Sequence, residues 1–151
     1  MIICFDMDGT IADLFSVENW LPKLEASDPT PYAEAAPMWN MEELAEVLES
    51  LAAEIRIVSW LSKDSTEAYK QEVREAKKDW LARMGFPYDH FHGVQYGTTK
   101  ANCVRRYLSE GEEAILIDDN AKVREGWHLG RTVDPTAENI IDFLRSLLEE
   151  E

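Results

Sequence analysis

Short apolar runs alternate along this chain with longer stretches of helical periodicity, and that alternation leaves few folds open. Residues Ile2–Phe5, 55–58, the neighbourhood of 91–94, Ala114–Ile117 and 131–133 read as strands, with helix-patterned segments between them. Strands separated by helices run parallel, because each crossover returns the chain to the same end of the sheet. The first and fourth runs are apolar at nearly every position, as strands covered on both faces require. The pattern predicts an α/β fold: three layers, α/β/α, around a five-stranded parallel sheet.

The helices carry their own punctuation. The clearest spans about 65–84, with Asp64 as its cap and Glu67 at the capping-box position. Tyr69, Val73, Ala76, Trp80 and Met84 form its apolar stripe, and Gly85 and Pro87 end it. A second helix covers about 41–53, with Leu44, Val47, Leu48 and Leu51 facing in. A third begins after Thr98 or Thr99, and a short fourth follows Asn120. The last begins at Asp134-Pro135, a cap followed by a first-turn proline, and carries Ile140, Ile141, Leu144 and Leu147. Only residues 13–40 break the rhythm, with Pro22, Pro29, Pro31 and Pro37 among the aromatics Phe15, Trp20, Tyr32 and Trp39.

The first strand runs straight into Asp6-Met7-Asp8-Gly9-Thr10. Period-two geometry sends Asp6 and Asp8 to the same side at the strand's carboxyl end. Two carboxylates held that close repel, and both stay ionised only beside a cation. Mg²⁺ suits aspartate oxygens while leaving positions for water and phosphate. Gly9 lets the chain turn sharply, and the Gly9 and Thr10 N–H groups could bind phosphate oxygens.

Three further stations follow in order. The run at 55–58 ends in Ser59; Gly97-Thr98-Thr99-Lys100 places a lysine near a helix start; Ala114–Ile117 ends in Asp118-Asp119-Asn120. Together with the opening aspartates these resemble the four motifs of the haloacid dehalogenase-like hydrolases, over residues 6–119. The resemblance implies a Rossmann-like sheet in one domain, 1–151, with a small cap inserted at about 13–40. It implies that Asp6 is the nucleophile and that Asp8 protonates the leaving oxygen and later activates water. Ser59 and Lys100 then bind phosphate, with Lys63 and Lys122 as competitors of Lys100. Asp6, Asp8 (through its backbone carbonyl), Asp118 and Asp119 make up the metal set, Asp118 being the preferred direct ligand of the last pair. Asn120 is more simply a helix cap. Dehalogenases of this family lack the second aspartate, so Asp8 favours phosphoryl transfer.

What remains bounds the partners. A formal net charge of −15 repels phosphate backbones, so a long nucleic acid is disfavoured; the small phosphorylated substrate is what the resemblance implies. No stretch approaches a membrane span, and no leader is expected ahead of a strand that begins at residue 2. Two cysteines, Cys4 and Cys103, fit a reducing compartment, and the expected location is the cytoplasm. Asp89, His90 and His92 lack zinc-site spacing and read as loop and strand-edge residues. Trp20, Tyr32 and Trp39 either pack the cap or stack on a base, as cap aromatics do in the similar 5′(3′)-deoxyribonucleotidases. The function expected is a Mg²⁺-dependent phosphatase for a small phosphomonoester, a nucleotide among the choices. The alternatives are a phosphomutase and a non-catalytic binding or regulatory module of the same fold. A nucleic-acid 3′-phosphatase conflicts with the charge. Nothing here sets the oligomeric state.

Overall fold

A computed structural model describes residues 1–151. The strands are β1 (Ile2–Phe5), β2 (Ala12–Asp13), β3 (Ala36–Pro37), β4 (Glu54–Trp60), β5 (His90–Val94), β6 (Ala114–Ile117) and β7 (Thr132–Val133). The helices are α1 (Trp20–Glu25), α2 (Thr30–Glu34), α3 (Met41–Ser50), α4 (Glu67–Arg83), α5 (Lys100–Val104), α6 (Ala121–Glu125) and α7 (Ile140–Glu150). Five strands form one sheet in the order β5-β4-β1-β6-β7, and every pairing in it is parallel. The expected α/β architecture is the observed one.

Alternation along the strands divides the core in two. Ile3, Phe5, Ile55, Ile57, Ile115 and Ile117 face one side, where α3, α7 and the second half of α4 cover them. Ile2, Cys4, Val58, Ala114 and Leu116 face the other, against Ala101 and Val104 of α5 and Trp127 beyond α6. This is the period-two rule applied to a sheet buried on both faces. Each buried indole finds an acceptor, Trp80 on the Ala35 carbonyl (2.7 Å) and Trp127 on the Ala114 carbonyl (2.8 Å). Cys4 is a core residue whose thiol burial pushes up to about 12.

Several boundaries differ from the sequence pattern. Thr66, not Asp64, caps α4: its hydroxyl accepts from the Tyr69 N–H, while Asp64 sits at φ 54°, outside the extended region an N-cap needs. The last helix begins later than Asp134-Pro135. Asp134 accepts from the Thr136 N–H and closes a turn, and Asn139 caps α7 by accepting from Ile141 and Asp142. Asn120 caps α6 by accepting from Lys122 and Val123.

Residues 13–40 are ordered. A short 3₁₀ turn (Leu14–Ser16), α1 and α2 lie between β2 and β3, which pair antiparallel and bring the segment back to where it left. Tyr32 and Leu14 of this segment pack on Tyr69 and Val73 of α4 and on Leu61. Farther from the strand ends, Asp89 accepts from the Ile55 N–H. His92 shares a hydrogen bond with the buried Arg56 guanidinium, which also bonds Glu54 and stacks on Tyr107. No helix is long and apolar enough to cross a membrane.

Candidate active site

Strand register decides where the carboxylates meet. Phe5 pairs with Ile57 on one side and Ile117 on the other, so Asp6 and Asp118 leave the sheet at the same level on adjacent strands. Asp6, Asp118 and Asp119 carry oxygens that all lie within 4.8 Å of one another. Lys100, in the first turn of α5, is the cation between them. Its ammonium donates to Asp6 Oδ1 at 3.0 Å and to Asp118 Oδ2 at 2.8 Å, and it is almost fully buried. Asp118 Oδ1 also accepts from the Asn120 N–H.

The turn after β1 ties the cluster together. The Thr10 hydroxyl is 3.2 Å from Asp6 Oδ2 and 3.4 Å from Asp119 Oδ1, and it accepts from the Asp119 N–H. Gly9 has φ +81°, and a Cβ there would lie 2.4 Å from Asp119 Oδ2. Only glycine allows the turn and the aspartate to share this space.

A second lysine serves Asp8. Lys77 of α4 donates to Asp8 Oδ2 (3.0 Å), Ser59 Oγ (2.7 Å) and the Trp60 carbonyl (2.9 Å). It is 1% exposed.

Electrostatically the site is short of positive charge. Burial first, and then the Asp6 carboxylate, push Asp118 up to about 6 and Asp119 up to about 7. Burial also raises Asp8, while Lys77 pulls it back. Burial would lower Lys100, but Asp6 and Asp118 outweigh it and raise the ammonium. Three carboxylates facing one ammonium leave negative charge that a divalent cation would neutralise. All the available donors are hard oxygens, the set Mg²⁺ takes. The residues present therefore fit that ion, with Asp6, Asp118 and Asp119 as its holders.

The cluster forms the floor of a cavity of about 680 Å³. Its walls include Phe15, Trp20 and Tyr32 from the 13–40 segment and Trp60, Lys63 and Tyr96 from the ends of β4 and β5.

No family model and no curated protein matches the sequence. Solved structures do match. D,D-heptose 1,7-bisphosphate phosphatase from B. bronchiseptica, complexed with magnesium and phosphate, superposes with TM-score 0.61 at 13% identity, covering 99% of both chains. A haloacid dehalogenase-like family hydrolase from Streptococcus pneumoniae gives 0.57 at 16% identity, over 88% of this chain and 83% of that one. This chain has the haloacid dehalogenase-like hydrolase fold. A chain of the Pnkp1/Rnl/Hen1 RNA repair complex also matches, with TM-score 0.61 and 15% identity over 88% of this chain. The present chain spans only 41% of that chain's length.

Within this haloacid dehalogenase-like fold, Asp6, Asp8, Lys100, Asp118 and Asp119 come together as the motif order implies, and all five line the cavity. Other expected contacts do not. The Gly9 N–H donates to the Ala12 carbonyl and the Thr10 N–H to the Met7 carbonyl, so the turn takes the two donors expected for phosphate. The Thr10 hydroxyl is engaged as well, by Asp6 and Asp119, and Thr10 does not line the cavity. Ser59 is buried beneath Lys77, away from the cavity wall, whereas Ser62 lies on that wall and shares a 2.6 Å hydrogen bond with the Tyr32 hydroxyl. Trp39 is not a wall residue either: its indole N–H donates to the Thr10 carbonyl (2.8 Å), and its ring packs on the core. Trp20 and Tyr32 do line the cavity.

Lys77 and Ser62 are the residues that sequence reasoning missed. The signal for Lys77 was present. It falls four residues after Val73 and four before Leu81, on the buried stripe of α4, where Ala76 had been expected. A lysine on the apolar side of a helix needs a buried partner.

Proposed function

We propose that this protein is a Mg²⁺-dependent phosphatase acting on a small phosphomonoester through an aspartyl-phosphate. The observation that carries this reading is the pairing at the strand ends: Asp6 beside Lys100, and Asp8 two residues on with its own lysine. Similarity to the magnesium- and phosphate-bound heptose bisphosphate phosphatase supports it at the level of fold.

In this reading an Asp6 oxygen attacks phosphorus. The bond to the leaving oxygen breaks, its electron pair stays on that oxygen, and the Asp8 carboxyl delivers a proton to it. Water then attacks phosphorus while Asp8 takes the water's proton. The bond to Asp6 breaks and returns its electron pair to the carboxylate. Lys100 offsets the charge of the transferring group. Bound Mg²⁺ would supply further neutralisation and alignment. Residues 13–40 act as a small cap that closes one side of the cavity and limits water.

The substrate is a small molecule with a flat ring, a nucleotide being one such. Aromatic side chains from both the cap and the strand ends support this, as does a cavity sized for a ligand of a few rings. A polynucleotide end, which similarity to the RNA repair chain would suggest, is opposed by the net charge of −15.

The test is phosphate release from nucleoside monophosphates, sugar phosphates and aryl phosphates, with and without Mg²⁺. Mg²⁺-dependent release, greater for ring-bearing substrates, is the expected result. No release from any substrate would overturn the enzymatic reading in favour of a binding module.

A further inference from the structure

Asp6 and Asp8 each have a lysine, but the two lysines are placed for different work. Lys100 lines the cavity, and its hydrogen bonds run to Asp6 and Asp118, which leaves one N–H of its ammonium for a phosphoryl oxygen. Lys77 has three acceptors for its three N–H bonds: Asp8 Oδ2, Ser59 Oγ and the Trp60 carbonyl. It is sealed from the cavity behind them, with the Tyr32 ring 4.9 Å from its nitrogen. It has no donor left for a substrate.

We propose that Lys77 is a positioning residue: it pins Oδ2 of Asp8 so that Oδ1 is the oxygen offered to the leaving group. Asp8 Oδ2 is held by Lys77, whereas Oδ1 makes no hydrogen bond within the protein, and Asp8 is a wall residue of the cavity. A carboxyl free to rotate would present its proton in the wrong direction for much of the time. Fixing one oxygen removes that freedom before the substrate arrives. Ser59 and the Trp60 carbonyl belong to β4, so the sheet itself fixes Lys77. Ser59 thus serves the reaction from beneath, through Lys77 and Asp8. This inference rests on the phosphatase reading.

A general acid matters in proportion to how badly the leaving group needs a proton, and general acid catalysis is worth about 10²–10⁴-fold. The experiment compares kcat/KM, which reports the step that expels the leaving group, for phenyl phosphate and p-nitrophenyl phosphate, which differ little in size but greatly in leaving-group basicity. In Lys77→Met the ratio of phenyl to p-nitrophenyl kcat/KM should fall about 10-fold or more below wild type. Asp8→Asn should lower the same ratio further, and adding Lys77→Met to Asp8→Asn should not change it again. A merely structural role for Lys77 would depress both substrates alike and leave the ratio at the wild-type value, and that result overturns the proposal. If Lys77→Met does not fold by circular dichroism, Lys77→Gln is read by the same ratio with the same two outcomes. Wild-type protein that hydrolyses neither ester removes the phosphatase reading itself, a failure distinct from an unchanged ratio.

Discussion

Lys77 and Asp8 meet at 3.0 Å although 69 residues separate them and one lies mid-helix, the other in a turn. The pair mirrors Lys100 and Asp6, also at 3.0 Å, on the far side of the same strand end. Two carboxylates with a single residue between them are thereby each held by a lysine, from two different helices, α4 and α5.

The roles of the two lysines separate by substrate. On the proposed reading Lys100 faces the phosphoryl group, so Lys100→Met should lower kcat by about 10²–10³-fold for every leaving group. Steady-state kinetics on the two aryl phosphates check this. A loss confined to the more basic leaving group would place Lys100 on the leaving oxygen instead.

Gly9 is the tightest point of the site. Gly9→Ala would place a methyl 2.9 Å or less from Phe15 and Asp119 at a φ of +81°. It should lower stability by more than about 1–2 kcal/mol and weaken the Mg²⁺-induced rise in melting temperature. Gly85→Ala is the control: φ is +68° but nothing lies within 4 Å, so it should show the strain without the loss of metal response. Thermal melts with and without Mg²⁺ read both, and equal behaviour of the two variants would contradict the close approach of Asp119.

Trp39 and Trp20 should part company. Trp39→Phe removes a hydrogen bond to the Thr10 carbonyl and should cost about 1–3 kcal/mol by urea denaturation while leaving the substrate ranking as it was. Trp20→Ala removes a cavity wall and should raise KM for ring-bearing substrates more than for sugar phosphates. A changed ranking in Trp39→Phe would put that indole back at the substrate.

The fold was legible because the strands are short, apolar and terminated by polar residues. Ile2–Phe5 and Ala114–Ile117 could be bounded to the residue, and the aspartates that follow them could be assigned to the carboxyl end of the sheet. Less was visible wherever a side chain's partner lies far away in sequence. The i, i+4 spacing of Lys77 from Val73 and Leu81 marks it as buried, but its partner Asp8, 69 residues away, shows only in the structure. Asp134-Pro135 carries a helix-start signal but forms a turn, because Asn139 offers a competing cap directly before the apolar run of α7. The 13–40 segment has no periodicity to read, so the burial of Trp39 against the core and the exposure of Trp20 to the cavity came only from the structure.

Away from the site, His92 gives a pH signature. Burial first, and then Arg56, lower its pKa below the ordinary 6.5. The folded state therefore binds a proton less readily than the unfolded chain. The sign follows: as pH falls below about 6.5 the unfolded state gains protons first and stability declines until the folded pKa is reached. His92→Gln should flatten that decline. Urea midpoints between pH 7.5 and about 5 check it, and an unchanged slope would contradict a depressed His92.

The most direct test of the account is turnover by Asp6→Asn beside wild type, at saturating Mg²⁺ and with the fold of both verified by circular dichroism. The account predicts phosphate release by wild type and a loss of about 10³-fold or more in the variant, because an amide cannot replace the attacking carboxylate. Asp6→Asn turning over near the wild-type rate would contradict it.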